Sequence, residues 1–185
     1  MKRIVFVILS ILAFSALTFA QASQEDINKA LMPLPARLKG DAMVIKWKKD
    51  FTYDTLREAK NNSRLVCYDR SGQPGQRPFA AECTSVANLD RVAQSLKVEA
   101  TAGDAKAVRA AFEDLEKNGK WIKPEFGSIW YHMSGATPEQ ANTHITVAVP
   151  GATGKTLGLP EDGKQFGTWV MNAGTSAAHL MINGE

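Results

Sequence analysis

The sequence has few of the features that reveal a protein's chemistry directly. It contains two cysteines and three histidines in 185 residues. Two cysteines are too few for a cysteine-rich secreted scaffold. After Ala22 no apolar stretch is long enough to span a bilayer, so no transmembrane span is expected in the mature chain. These absences leave an ordinary globular domain as the starting expectation.

An excess of charge of one sign is also missing. The formal net charge is +3, and Lys2 and Arg3 contribute two of those charges. The remainder of the chain is therefore almost neutral. Proteins that bind nucleic acid through its phosphates need a basic surface, so the charge balance argues against a nucleic-acid partner.

Residues 1–22 have the pattern of a secretory signal peptide. Lys2 and Arg3 form a positive start, Ile4–Phe14 is a short apolar run, and Ala20-Gln21-Ala22 offers small residues at a cleavage site. Cleavage after Ala20 fits the same pattern. No cysteine follows the apolar run, which argues against a lipid anchor. The sequence predicts export as a soluble protein, either to a bacterial periplasm or into the medium.

The two cysteines are expected to form a disulfide. Cys67 and Cys83 both lie in the exported part, where an oxidising compartment favours pairing. Closing a loop of about 15 residues contributes ~3 kcal/mol in the chain-entropy model. The alternative is a pair of metal ligands, but zinc and iron–sulfur sites usually place cysteines about two to four residues apart.

The mature chain, about 163 residues long, fits one domain over residues 41–185. Residues 23–40 precede it, and Pro33 and Pro35 predict an extended N-terminal segment there. Asn61-Asn62-Ser63 predicts a hairpin turn between two strands. Alternation and turn signals predict strands at Ala42–Lys48, Phe51–Lys60, Arg64–Asp69, Ser128–Ser134, His144–Val149, Trp169–Asn172 and Ala178–Ile182.

Two amphipathic helices are predicted between the strands. The first is capped by Asn88, and the second runs from Ala105 to Asn118 with Asp104 as its N-cap. Their apolar stripes are Leu89, Val92, Ala93 and Leu96 in the first helix and Val108, Ala111, Phe112 and Leu115 in the second. Strands, then helices, then strands predict an α+β fold with a mainly antiparallel sheet packed against the two helices.

All three histidines lie on predicted strands. Alternation places His144 opposite the apolar face of its strand, and it does the same for His132 and His179. If these strands are neighbours, the three imidazoles gather on one side of the sheet. Three histidines suit zinc with an open position, or copper with Met133 or Met181 nearby. The plainer alternative is three half-buried imidazoles with ordinary hydrogen-bond partners.

A second interpretation uses two of the histidines as an acid and a base. His144-Ile145-Thr146-Val147 resembles the H-x-[ST]-x element of two-histidine phosphoesterases. The second element would be His179-Leu180-Met181-Ile182, in which Met181 replaces the hydroxyl residue. The segments Gly151–Thr156 and Ser176–His179 lack the full patterns of a phosphate loop and of a serine hydrolase.

The last third of the chain resembles a group of uncharacterised exported bacterial proteins. The residues that carry the likeness are Gly127–Gly135, Thr143–Val147 and Gly167–Ile182, the last of which contains the pattern W-V-M-x-x-G-T-x-x-A-H-L-M. The resemblance implies an exported single domain and no particular activity. Because the sequence carries no complete catalytic motif, we expect a non-catalytic periplasmic or secreted binding or accessory protein whose partner is a small molecule or a protein. The alternative is a small hydrolase or metal-dependent enzyme centred on His144 and His179.

Overall fold

A computed structural model describes residues 24–164 and 167–183 of the chain. The predicted signal peptide lies outside the described residues. Within them, none of the helices combines the length and apolarity that a membrane crossing requires.

The described residues form one eight-stranded sheet with helices on both faces. The helices are α1 (residues 24–30), α2 (Ala36–Lys39), α3 (Leu89–Thr101), α4 (Ala105–Lys117) and α5 (Gly154–Leu157). The strands are β1 (Met43–Trp47), β2 (Tyr53–Arg57), β3 (Leu65–Asp69), β4 (Phe79–Ser85), β5 (Ile129–Gly135), β6 (Asn142–Ala148), β7 (Trp169–Met171) and β8 (His179–Asn183). Their order across the sheet is β2-β1-β3-β4-β5-β6-β8-β7.

The α+β fold class is confirmed. Within the described ranges, neighbouring strands run antiparallel except β1 and β3, which are parallel. The disulfide is also confirmed, because Cys67 and Cys83 are bonded and face each other across β3 and β4. Opposed residues on antiparallel strands bring their Cβ atoms close enough for a disulfide.

The predicted hairpin between the second and third strands is wrong. Asn61 and Asn62 do adopt positive φ angles of 50° and 56°, as a turn there requires. However, β2 pairs with β1, and β1 lies between β2 and β3. Strand β4 was not predicted at all. Its sequence, FAAECTS, is almost entirely buried and lacks the polar alternation of a half-exposed strand.

The N-terminal segment is helical where an extended conformation was predicted. Residues 24–30 form α1, and Pro35 is the N-cap of α2, so both prolines lie between helices. The apolar side chains of this segment pack on the sheet face that carries Val44 and the disulfide; they are Ile27, Ala30, Leu31 and Leu34. Their spacing fits one helical face, and burial against the sheet stabilises the helix.

Helix α3 covers the opposite face of the sheet. Leu89, Val92 and Leu96 are buried against a cluster that includes Ile45 and Tyr68. The predicted stripe of α3 is therefore confirmed, although Asn88 makes no side-chain cap. Instead, its amide donates to Thr84 and Ser128 and accepts from the backbone N–H of Glu125, which anchors the segment before β5.

Helix α4 begins as predicted. The Asp104 side chain accepts a hydrogen bond from the backbone N–H of Ala107. Its apolar stripe is only half-buried, because α4 packs on α3 and on the segment that follows it rather than directly on the sheet. Phe112 stacks on Trp121, with ring centroids 4.8 Å apart.

Candidate functional site

Four polar side chains form one row across the sheet on the α3 side. Tyr68 of β3 is opposite Glu82 of β4, Glu82 is opposite His132 of β5, and His132 is opposite His144 of β6. Directly opposed residues in antiparallel strands project from the same face. The alternation predicted for His132 and His144 therefore leads to direct contact between their rings.

The two imidazoles stack instead of converging on a common point. Their ring centroids are 4.4 Å apart and their planes differ by 11°. The nitrogen lone pairs of an imidazole lie in the plane of its ring. In two parallel stacked rings these lone pairs do not meet at one point, so the pair is unsuited to holding one ion between the rings. Burial and the neighbouring His132 lower the pKa of His144 to about 4. His144 is therefore neutral at physiological pH.

A chain of buried charges leads to this histidine pair. Arg70, whose side chain is 7% exposed, contacts Glu82 with 3.3 Å between Nη1 and Oε1, and it also pairs with Glu99. Burial would lower the pKa of Arg70, but the two carboxylates raise it above its usual value. Arg70 thus supplies a cationic partner to two buried acids, as buried charges require.

Glu82 is held as a carboxylate beside His132. Burial raises the pKa of Glu82, but the contacts with His132 and Arg70 outweigh it and lower this pKa to about 2. The hydroxyl of Tyr68 donates to the same carboxylate at 3.1 Å. On the other side, Nδ1 of His132 lies 3.6 Å from Oε1 of Glu82. Nε2 of His132 lies 3.5 Å from Oγ1 of Thr146.

An open cleft of about 200 Å³ lies beside His132. Its floor comes from β5, β6 and β8, and its walls come from α3, the segment after α4 and the turn before β8. The lining residues are Arg91, Trp121, Pro124, Trp130, His132, Thr146, Ala148, Asn172, Ala177, Ala178 and His179. The cleft therefore brings a guanidinium, two imidazoles and two indoles together.

Arg91 is the least expected member of the cleft. It is only 9% exposed, its guanidinium lies 4.3 Å from the ring of Trp121, and Nη1 donates to the carbonyl of Ile122. Among the described residues, no carboxylate forms an ion pair with it. Burial lowers the pKa of Arg91 to about 10, against a weak attraction from Glu116. Arg91 remains a cation at neutral pH.

Side-chain hydrogen bonds hold both walls in place. Gln94 of α3 donates to the carbonyl of Lys120 and accepts from the N–H of Ile122, both at 2.9 Å. Glu116 of α4 accepts from the backbone N–H of Ser176 at 2.8 Å and from its hydroxyl. Both walls of the cleft are therefore tied to helices rather than carried on free loops.

The histidines predicted as site residues do not all reach this cleft. His132 and His179 line it, whereas His144 is outside the lining and four residues along β6 from Ala148, the partner of His179. Met181 is opposite Thr146 and Trp169 and does not line the cleft. His132 and His179 therefore share this cleft, and a site centred on His144 and His179 stays a prediction.

His179 has its own hydrogen-bond partner. Its Nδ1 lies 2.8 Å from the carbonyl of Ala177, so this nitrogen carries the proton in the neutral ring. Burial lowers the pKa of His179, and the Ala177 carbonyl partly offsets that effect. In the part of the chain that the structure describes, no three His, Cys, Asp or Glu side chains are grouped to hold a metal ion. Within those residues, the zinc or copper hypothesis gains no support from a cluster of these four residue types.

Two residues important to the cleft were missed from the sequence. Glu82 lies on the strand that was not predicted. Arg91 falls outside the apolar stripe of α3 and becomes buried only because the segment around Trp121 folds over it. No periodic signal marks either residue, although a charged residue inside an otherwise apolar buried strand is a clue to Glu82.

Comparison with protein families, curated proteins and solved structures found no match for this chain. The resemblance to exported bacterial proteins stays a prediction.

Proposed function

We propose that this protein is an exported, non-catalytic binding protein whose cleft holds a small oxyanion attached to a planar group. The oxyanion would be a carboxylate or a phosphate. The observation that carries the proposal is Arg91, a buried cation at the wall of an open cleft that has no carboxylate partner in the part of the chain the structure describes. The predicted signal peptide and the disulfide support export.

The electrostatics of Arg91 favour an anion. A buried charge is costly unless it is paired, and a guanidinium presents five N–H donors in a fixed fork. Ile122 takes one of these hydrogen bonds through its carbonyl, and the Trp121 ring adds a cation–π contact. A bidentate carboxylate or phosphate would satisfy further donors and neutralise the charge.

The other lining residues favour a planar group beside the anion. Trp121 and Trp130 present aromatic surface, and the buried indole Nε1 of Trp121 has no hydrogen-bond partner within residues 24–164 and 167–183. His179 adds a polar group on the floor, and Asn172 adds one on the wall before β8. Such a mixture of aromatic surface and a few polar groups is typical of small-molecule sites.

Phenyl phosphate, which joins a phosphate to a planar ring, is the probe that tests this proposal. Its binding to the mature protein is measured by calorimetry and by the shift of the Trp121 indole signal in NMR. The Arg91→Met variant is expected to bind it about 10- to 100-fold more weakly, because it loses a charged hydrogen-bond donor. Arg109, an exposed arginine of α4, provides the matched Arg109→Met control. Equal affinity in the two variants would contradict the proposal.

A second candidate function is hydrolysis of a bound ester, favoured by the line from Glu82 through His132 to Thr146. With its Nδ1–H directed towards Glu82, His132 keeps Nε2 free to accept a proton. Nε2 would take a proton from a water molecule whose oxygen bonds to the phosphorus of the ester. The P–O bond to the alcohol or phenol then breaks, and the leaving oxygen takes that proton from His132, which returns to the neutral imidazole. This candidate moves the reactive histidine from His144 to His132.

Hydrolysis of p-nitrophenyl phosphate distinguishes the two candidates. If the cleft is an enzyme, His132→Gln is expected to lower kcat about 100-fold or more, whereas His144→Gln retains most activity. Glu82→Gln should shift the pH profile, because it removes the carboxylate that orients His132. Tight binding without turnover by the unmodified protein would retain the binding function and reject hydrolysis.

A further inference from the structure

We infer that a second groove, between the β1–β2 loop and the C-terminal half of α3, binds a hydrophobic carboxylate. The groove has a volume of about 470 Å³, within the range of small-molecule sites. Its apolar surface comes from Trp47, Phe51, Pro74, Leu96 and Ala100. It shares no residue with the histidine-lined cleft, so the inference goes beyond the proposed function.

The indole of Trp47 provides the first argument. Its Nε1 is buried and has no hydrogen-bond partner among the described residues. Tyr53 and Tyr68 pack edge-to-face against this indole, with centroids 5.5 and 5.9 Å away, and supply no acceptor to Nε1. A buried donor left without a partner is destabilising, so an acceptor from a ligand would be stabilising.

The backbone at Phe51 provides the second argument. Phe51 has a φ of 64°, a left-handed conformation that is unfavourable for a bulky side chain. Hydrogen bonds hold it there, because its N–H donates to the carbonyl of Lys48 and the Asp50 carboxylate accepts from Thr52. The strained turn places the Phe51 ring at the groove beside Leu96. Strain of this kind is found most often at functional sites.

The charges at the rim identify the polar end of the ligand. Glu99 lines the groove, but its carboxylate is engaged by Arg70. Lys49 is exposed and forms no ion pair within the described residues, while Lys48 makes a surface contact of 3.3 Å with Asp54 and also attracts Asp50. Neither of these aspartates lines the groove. The accessible charge is therefore positive, which favours a carboxylate over a neutral or cationic group.

Two probes of the same shape test the charge requirement. 2-Naphthoate and 2-naphthylmethanol share an aromatic body and differ in the carboxylate. Each is titrated into ¹⁵N-labelled mature protein carrying Arg91→Met, which is expected to weaken anion binding in the cleft. We expect 2-naphthoate to shift the Trp47 indole and the Ala100 amide signals with saturation. The neutral alcohol should bind about threefold more weakly or worse.

Lysine variants complete the test. The double variant Lys48→Gln, Lys49→Gln should remove the preference for 2-naphthoate, and Lys46→Gln is the matched control because Lys46 lies outside the groove lining. Trp47→Phe keeps the ring, removes the N–H and should weaken binding further. No saturable shift at Trp47, shifts confined to Trp121 and Trp130, or an unchanged preference in the lysine variant would overturn the inference. A failure of phenyl phosphate to bind in the cleft would contradict the proposed function but not this inference, because the groove and the cleft share no lining residue.

Discussion

At the scale of single residues, His144 illustrates how burial and contact decide a protonation state. Its ring stacks on that of His132 and is partly covered by the sheet and its neighbours. The charge of Glu82 favours protonation of His144, but burial and His132 have the larger effect, so the pKa falls from 6.5 to about 4. The folded protein therefore resists a proton that the unfolded chain accepts.

This difference predicts a loss of stability in mild acid. As the pH falls from about 6.5 towards 4, the unfolded state gains a proton at His144 before the folded state does. The free energy of unfolding should then fall by about 1–2 kcal/mol from this residue, after allowance for partial exposure to solvent. Urea titrations at about pH 7 and pH 4.5 measure this fall in the free energy of unfolding. His144→Phe keeps a stacked ring without the proton, so its loss should be smaller by that amount. An identical loss in both proteins would contradict the assignment.

At the scale of elements, β4 connects the two sides of the molecule. Cys83 faces the helices at the N-terminal end, and Glu82 faces α3 and the histidine row. Arg70, just after β3, reaches across to Glu82 and to Glu99 of α3. The series of buried charges formed by Glu99, Arg70 and Glu82 therefore joins α3 to the sheet and ends at His132 in the cleft.

Removing the central cation of this chain should be strongly destabilising. Arg70→Met leaves Glu82 and Glu99 buried without their partner, which is expected to lower the free energy of unfolding by about 3–5 kcal/mol. Lys29→Met is the matched control, because the pair of Lys29 with Asp69 is 33% and 35% exposed. The free energy of unfolding of the Lys29→Met variant should fall by less than about 1 kcal/mol. Chemical denaturation measures the free energy of unfolding of both variants. Losses of equal size would show that the buried ion pairs of Arg70 contribute no more to stability than the partly exposed pair of Lys29.

At the scale of the whole molecule, stability depends on two cores separated by one sheet. One core packs α1 and the segment after it on Val44 and the disulfide, and the other packs α3 on Ile45 and Tyr68. The disulfide lies in the middle of the sheet, where β3 and β4 are neighbours. It cross-links the part of the sheet on which both cores rest.

The double variant Cys67→Ala, Cys83→Ala tests this contribution. The bond closes a sequence separation of 16 residues, for which the chain-entropy model gives about 3 kcal/mol. Urea unfolding of the variant should show that loss without reductant. Reductant should bring the unmodified protein to the same midpoint and leave the variant unchanged. A variant as stable as the oxidised protein would show that the bond contributes little to folding.

Local sequence pattern was sufficient for several features of the fold. A pair of cysteines has one intramolecular partner each, so Cys67 and Cys83 could be joined before the structure was considered. Alternation located β5, β6, β7 and β8 to within about two residues, and an apolar stripe located α3. These features depend on contacts repeated at short sequence separation, which periodicity reports directly.

The candidate site was decided by contacts between residues far apart in the chain. Strand order determined that His132 meets His144 and that the cleft contains His132 with His179. Arg91 is buried because the segment around Trp121 packs over it, although its place on the helix predicts exposure. Strand pairing and burial depend on which distant segments share a core, and no pattern along a single chain specifies that choice.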